Sequence, residues 1–244
     1  MTLPLNVGLI PARGGSKRVP HKNKRLLRGI PLVAYSIKSA IESKMFTEVI
    51  VSTDDPEIAK ISEKFGASVP CLRPIEIAAD TSPDVDWINF AIEHQITTPL
   101  TEVEFMAILR PTSPLRSSET IKNAFSHLRE NVWADSLRAM EVTNKHPGKM
   151  WVVKNNSEAV PYLKQPKGSL PTYNNPTQSL PKVWIQNASL EIFRLSSFYR
   201  TRSQSGNRIL SFEMPNWEGF DINSESDWLL IESILDQKLN NFEN

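Results

Sequence analysis

Short apolar runs alternate with amphipathic segments of helical period from Leu3 to Val142, and that alternation leaves few folds open. Leu3 to Ile10 reads as a buried strand. Pro31 to Lys44 reads as a helix, with proline in its first turn and Val33, Ile37, Ala40 and Ile41 on one side. Glu48 to Ser52 is a β-branched strand; Asp54-Asp55-Pro56 then gives a turn and N-cap for a helix that Gly66 ends after Phe65. Ala67 to Cys71 reads as a further strand, 72–83 as a loop, and Asp84 to Ile96 as a helix with Val85, Ile88, Ala91 and Ile92 facing in. Val103 to Leu109 is a strand, Ser117 or Ser118 caps a helix to Glu130 with Asn131 as its stop, and Ser136 to Val142 is a strand. Strands separated by helices of about 10–15 residues imply βαβ units, hence an α/β fold with a mainly parallel sheet.

Beyond Val142 the texture changes. Residues 144–181 are rich in Pro, Asn, Gly and Lys, which predicts long loops around one hairpin, Trp151 to Val160, turning at Asn155-Asn156. Trp184 to Phe193 returns as a strand, and Ser224 caps a closing helix that runs to about Leu239. Hydrophobic residues at 40% of 244 support one large packed domain. A net charge of +1 gives no global field for nucleic acid or membrane. The one cysteine, Cys71, excludes an intramolecular disulfide and a multi-cysteine zinc site, and is expected as a small core residue. No apolar run approaches the roughly 18 residues of a membrane span, and no charged n-region precedes one, so the expected protein is soluble and cytoplasmic.

The local exception to balanced charge follows the first strand. Arg13 to Arg28 carries seven Lys or Arg residues, and the first acid in the chain is Glu42. Gly14 and Gly15 lie within it, where the backbone can approach a ligand closely. A donor-rich cationic loop between a first strand and a helix suits a nucleoside triphosphate. Its spacing is neither that of a P-loop nor G-x-G-x-x-G, so spacing alone leaves a solvated basic loop or a nucleic-acid patch open.

Ile10 to Asn23, Ile-Pro-Ala-Arg-Gly-Gly-Ser-Lys-Arg-Val-Pro-His-Lys-Asn, resembles the N-terminal signature of the CMP-sugar synthetases that activate sialic acid and related nonulosonic acids, the acylneuraminate cytidylyltransferase family. Further matches follow in order over nearly the whole chain. The resemblance implies a three-layer Rossmann-like nucleotidyltransferase fold, a single domain over 1–244 in which about 144–215 hold a small sugar-binding and dimerisation extension. It also implies a homodimer, with the variable loops and the region around Phe198-Tyr199 crossing to the partner; the balanced charge points to no nucleic-acid or membrane partner. Arg13, Lys17 and Lys22 are then expected on the triphosphate, with Ala12, Gly14, Gly15, Ser16 and Asn23 completing the loop's contacts. Arg18, Lys24, Arg25 and Arg28 read as ordinary solvated charges.

Val51-Ser52-Thr53-Asp54 resembles the family's second station, although a helix N-cap explains Asp54 and Asp55 as well. Arg73-Pro74 and Ala79-Asp80-Thr81-Ser82 resemble its base-and-ribose station, which assigns Arg73 and Ser82 to the nucleotide; Asp80 equally fits as a loop-fixing residue. Leu109-Arg110-Pro111-Thr112-Ser113-Pro114-Leu115-Arg116 is close to L-Q-P-T-S-P-L-R, which places Arg110, Thr112 and Ser113 on the sugar side. Arg110 replaces the usual Gln; it either pairs with a substrate carboxylate or meets a nearby acid. Lys149, Gln178 and Asn187 match sugar-side positions, while Thr177, Ala188 and Glu191 replace the family's Arg, Gly and Tyr. His146, before Pro147, reads as loop structure rather than a general base, and no other side chain stands out as one. Phe220 to Asp227 resembles I-D-I-D-T-x-x-D, with Asp221 as the first ligand of Mg²⁺ (or Mn²⁺), Asn223 in place of the second, and Asp227 on the closing helix. The implied reaction joins CMP from CTP to an acidic nine-carbon sugar, with release of pyrophosphate. The alternatives are a 3-deoxy-octulosonate cytidylyltransferase and a catalytically weak nucleotide-binding homologue. The Lys22-Asn23 pair and P-T-S-P-L-R favour the nonulosonate branch.

Overall fold

The computed structural model describes residues 5–79, 81–164 and 170–240. Its elements in chain order are β1 (Leu5–Pro11), β2 (Leu26–Leu27), β3 (Ile30–Pro31), α1 (Leu32–Ser43), β4 (Glu48–Ser52), α2 (Pro56–Lys64), α3 (Asp84–Phe90), β5 (Val103–Ile108), α4 (Ser118–Glu130), β6 (Ser136–Val142), β7 (Trp151–Val153), β8 (Ala159–Pro161), β9 (Trp184–Arg194), α5 (Leu195–Thr201), β10 (Ile209–Glu213) and α6 (Glu225–Asn240). The chain divides into two compact units, Met1–Ala139 with Asn187–Asn244, and Met140–Gln186.

The first unit is built on a six-stranded sheet of order β10-β6-β9-β5-β1-β4. β1 runs parallel to both β4 and β5, as strands joined by helical crossovers must. Successive residues of a strand face opposite sides, so the apolar runs feed two cores. Val49 and Val51 of β4 and Phe105 and Ala107 of β5 pack with Val33 and Ile37 of α1 and Phe125 and Leu128 of α4. Their alternates Leu9, Ile50, Met106 and Ile108 pack on the other face with Trp87 and Ile88 of α3 and Phe198 of α5. The result is three layers, helix, sheet, helix. A third cluster joins Trp228 and Ile231 of α6 to Leu27, Leu32, Leu115, Ile222 and Val19, and so fastens the basic loop to the C-terminal helix.

Several boundaries differ from those the sequence suggests. Ser68 makes a lone bridge to Ile50, and the following Pro70, without an N–H, cannot extend it, so Ala67 to Cys71 is not a strand. The helix from Asp84 changes to π-type turns over Ala91–Gln95, where the buried Gln95 side chain donates to the Cys71 carbonyl at 2.8 Å. Cys71 itself is half-exposed rather than in the core. β9 pairs antiparallel with β5, Ile108 opposite Glu191. The β2–β3 hairpin, α5 and β10 have no counterpart in the sequence reading. Phe198 is buried against Phe193 of its own chain, ring centroids 5.5 Å apart. Tyr199 beside it is exposed. Leu3 and Asp80 lie outside the described residues.

In the second unit β7 and β8 form the expected antiparallel hairpin, Val152 opposite Val160. Among the described residues no helix is long and apolar enough to cross a membrane.

Candidate active site

The chain leaves β1 toward β4 on one side and later returns to β5 on the other, so the carboxyl ends of β1 and β5 flank a topological switch point, where open α/β sheets bind ligands. The basic loop leaves β1 there, and the Arg110-Pro111-Thr112-Ser113 segment leaves β5 there. The loop is shaped largely by bonds to its own surroundings. The Ala12 N–H donates to the Ser52 carbonyl at 3.0 Å, Gly14 N–H to Asp54 Oδ1 at 2.9 Å, and Ser16 N–H to the Gly14 carbonyl at 3.0 Å. Asn23 Nδ2 closes the turn on the Arg13 carbonyl at 2.8 Å. Those three backbone donors are therefore engaged within the chain, and side-chain cations become the principal means of holding an anion. Asp55, not Asp54, caps α2, accepting from the Glu57 and Ile58 N–H groups at 2.7 and 3.3 Å. A Cβ on Gly14 would stand 3.0 Å from that of Asp55, which explains glycine at this point.

Three of the cations act on one another electrostatically. Lys22 is half-buried, and its Nζ donates to the Ile222 carbonyl at 2.8 Å. Burial lowers its pKa, against Asp221, which raises it, and with Arg18 and Arg13 pushing further down. Arg73 is 5% exposed, and burial lowers its pKa as well, with Asp54 and Asp84 opposing and Arg13 reinforcing the change. Arg13 thus lies within electrostatic reach of both Lys22 and Arg73, and its Nη1 is 3.5 Å from the Ala78 carbonyl. Lys17 and Gly15 are exposed on the loop. Ser82 Oγ donates to the Glu76 carbonyl at 3.3 Å. Of the residues read as solvated, Lys24 pairs with Asp55 and Glu57, Arg25 pairs with Glu225 and stacks over Trp228 at 4.2 Å, and Arg28 pairs with Asp236. They hold the loop to α2 and α6.

On the β5 side Arg110 meets acids of its own chain. Its Nη2 bonds Asp84 Oδ2 and lies 3.4 Å from Glu191 Oε1, and Glu191 Oε2 is 3.1 Å from Arg138 Nη1. Asp84 and Arg138 were not singled out from the sequence. The available signal was a charge placed among apolar strand residues, as in Leu137-Arg138-Ala139 and Leu190-Glu191-Ile192, which requires a partner of opposite sign. Ser113 is buried, and the Thr112 carbonyl accepts the Ile222 N–H at 2.9 Å, joining this segment to the Asp221 region. Arg116 is fully enclosed; its guanidinium donates to Ser36 Oγ at 2.7 Å and to the Ser189 carbonyl, and burial lowers its pKa. Asn187 Oδ1 accepts the Ser189 N–H at 3.2 Å.

Asp221 Oδ2 accepts from Asn223 Nδ2 at 2.7 Å, while Asp221 Oδ1 is buried without a hydrogen-bond partner among the described residues. Asp227 accepts the Asn223 and Ser224 N–H groups, both at 2.8 Å, and Ser224 Oγ accepts the Asp227 N–H at 3.3 Å. That reciprocal cap starts α6 and keeps Asp227 on the helix. Among the described residues no group of three or more His, Cys, Asp or Glu side chains is arranged to hold a metal.

Lys149 and Gln178 belong to the second unit, and both are exposed there. His146 Nδ1 accepts the Gly148 N–H at 2.9 Å, a loop-forming role.

The chain and its fold have known counterparts. The chain is 34% identical over 236 residues to the CMP-N,N'-diacetyllegionaminic acid synthase of Legionella pneumophila, covering 94% of this chain and 96% of that one. It is 31% identical over 229 residues, 94% of both chains, to the post-translational flagellin modification protein B of Campylobacter coli. A solved CMP:2-keto-3-deoxy-manno-octonic acid synthetase in complex with CTP shares the fold, with a TM-score of 0.68 at 16% identity over 96% of this chain and 99% of that one. The family described as cytidylyltransferase matches residues 7–168, and with the near full-length relatives this shows that the chain belongs to the cytidylyltransferase family.

Proposed function

We propose that this nucleotidyltransferase moves CMP from CTP to the anomeric hydroxyl of a nonulosonic acid, a sialic-acid-like nine-carbon sugar, and releases pyrophosphate, for surface-glycan biosynthesis. The observation that carries the reading is the group of cations Lys22, Arg13 and Arg73, coupled electrostatically through Arg13, in a chain whose near full-length relative is named for a CMP-nonulosonate product. In the reaction the anomeric oxygen forms a bond to the α-phosphorus of CTP, the bond from that phosphorus to the β-phosphate oxygen breaks, and the hydroxyl proton is lost.

Arg13, Lys17 and Lys22 hold the triphosphate and offset the charge that gathers on the departing pyrophosphate. Ala12, Gly14, Gly15, Ser16 and Asn23 give the loop its shape around it. Arg73 and Ser82 face the nucleoside. Arg110, Thr112, Ser113, Lys149, Gln178 and Asn187 are assigned to the sugar. Residues 144–215 are the extension within one cytidylyltransferase domain, and the working form is a homodimer in the cytoplasm, where CTP is held.

The buried, unpartnered Oδ1 of Asp221 fits a divalent cation. Mg²⁺ is commonly bound through one or two carboxylates plus substrate phosphates, so Asp221 with the amide oxygen of Asn223 is a sufficient protein contribution. When bound, Mg²⁺ (or Mn²⁺) supplies positive charge to the phosphate oxygens. Lys22, beside Asp221, adds fixed charge from the chain itself.

The test is pyrophosphate release from CTP and Mg²⁺ with a panel of nonulosonic acids and 3-deoxy-octulosonate. Release with a nonulosonic acid is expected. Release with the octulosonate alone gives the neighbouring sugar class, and CTP binding by calorimetry without release from any acceptor gives a degenerate site; either overturns the reading. Light scattering checks the dimer, and a monomer counts against it.

A further inference from the structure

The residues that end β4 reach two cation-bearing segments at once. On one side the Ser52 carbonyl accepts the Ala12 N–H at 3.0 Å and Asp54 Oδ1 accepts the Gly14 N–H at 2.9 Å, so both chain neighbours of Arg13 are tied to this strand end. On the other side the Thr53 carbonyl accepts the Arg73 N–H at 2.7 Å. Ser52 and Thr53 are fully buried and hold these segments through backbone carbonyls. Asp54 holds the loop through its side chain, which is half-buried.

The Asp54 carboxylate is not needed for the neighbouring helix. Asp55 caps α2, and Thr53 Oγ1 accepts the Asp55 N–H at 3.1 Å, so the turn closes without it. Nor does its charge favour an anion, since a carboxylate beside a bound phosphate repels it. What Asp54 supplies is position. Burial lowers the Arg73 pKa, and of the charges that act on Arg73, Asp54 opposes that most strongly. Arg13 pushes the other way, so the two guanidinium groups repel one another. An acid that bonds the loop beside Arg13 and attracts Arg73 offsets that repulsion before any phosphate arrives. Arg73 Nε is buried with no hydrogen-bond partner among the described residues, and a buried donor left open suits a ligand.

We infer that Asp54 is a positioning residue for CTP, which holds the basic loop at Gly14 and the Arg73 side chain in the arrangement that the nucleotide meets. It acts through Arg13 and Arg73 and touches no reacting atom. This rests on the reading of the loop and Arg73 as the CTP site.

The experiment measures CTP binding by calorimetry, with Mg²⁺ and no acceptor, in the full-length wild type, Asp54→Ala and Asp54→Asn. Pyrophosphate release then gives KM for CTP and for a nonulosonic acid that the wild type uses. Asp54→Ala is expected to raise Kd and KM for CTP about 10-fold, the scale of one hydrogen bond to a charged group. Asp54→Asn keeps an acceptor for the Gly14 N–H without the charge, and should recover part of the loss, to about 3-fold above the wild type. KM for the acceptor should change less than about 2-fold in both variants by the same comparison. CTP binding unchanged or tighter in Asp54→Ala means that the acid only repels the nucleotide, and an equal rise in both KM values means a general structural role; either overturns the inference. If Asp54→Ala does not fold, Asp54→Asn decides by the same criterion. A wild type that binds no CTP defeats the nucleotide reading itself, a result distinct from either of these.

Discussion

Lys22 Nζ donates to the carbonyl of Ile222 at 2.8 Å, a contact between residues 200 positions apart. It ties the basic loop to the segment that carries Asp221 and Asn223, so the ammonium is both a charge and a clasp. Lys22→Met removes both. The expected result is a fall in kcat/KM for CTP of about 100-fold or more, the scale of one preorganised charged contact. Lys22→Arg keeps the charge but not the compact donor, and should recover less than a tenth of the wild-type rate by the same reasoning. Steady-state kinetics with varied CTP decide this, and full activity in Lys22→Arg would remove the clasp from the argument.

Arg13 lies within electrostatic reach of both Lys22 and Arg73. Arg13→Ala should lower kcat by about 100-fold or more, as loss of a transition-state charge contact does. Its side chain is only partly buried, so thermal stability should be unchanged. Turnover near the wild-type rate would remove Arg13 from the triphosphate site.

Asn223 presents its amide nitrogen to Asp221. Asn223→Asp replaces that donor with a second carboxylate, and the Mg²⁺ concentration giving half-maximal rate should fall by about 10-fold, since ligand charge sets divalent affinity. Asp221→Asn should act in the opposite sense and more strongly. A metal titration of both variants checks the pair, and an unchanged midpoint in Asn223→Asp would separate residue 223 from the cation.

Asp135 organises the turn after α5. Burial alone would raise its pKa, but hydrogen bonds from Ser197, from the Asn207 and Arg208 N–H groups and from Arg200 outweigh burial and bring it to about 2. A depressed carboxylate pKa contributes stability above the unfolded value near 3.8 that is lost as pH falls through about 2. The Tm gap between wild type and Asp135→Asn should therefore be constant from neutral pH to about 4.5 and close between about pH 4 and 2. A gap that does not narrow in that window would show the bonds to be indifferent to charge. The same turn needs Gly206, at φ +65°, where a Cβ would lie 2.3 Å from that of Asp135. Gly206→Ala should cost about 2 kcal/mol or more in chemical denaturation.

The parallel core was legible because a helix or strand period survives in a single segment. Asp54-Asp55-Pro56 announced a helix start, but two adjacent acids could not be told apart: one caps α2 and the other holds Gly14, forty positions away. β10 and α5 were missed because their stability comes from what they pack on. Ile209–Glu213 alternates burial at the sheet edge, and Leu195–Thr201 is too short to show a period. Arg110 was found by its departure from a motif, yet its partners come from two other elements, and pairings of that range are not written in any local pattern.

β9 lies between β6 and β5 although it is made after both. Until Arg194 has been synthesised, the edge of β5 at Phe105–Ile108 has no neighbour on that side. At translation rates of about 5–20 residues per second, the interval between the two strands lasts roughly 4–17 s. Through it the nascent chain carries an apolar, unpaired strand edge, the feature most prone to join the wrong partner. The late strand that brings Glu191 to Arg110 is thus also the one that ends the chain's exposure to aggregation, and yield in cells should depend on chaperone supply more than the finished fold's stability would suggest.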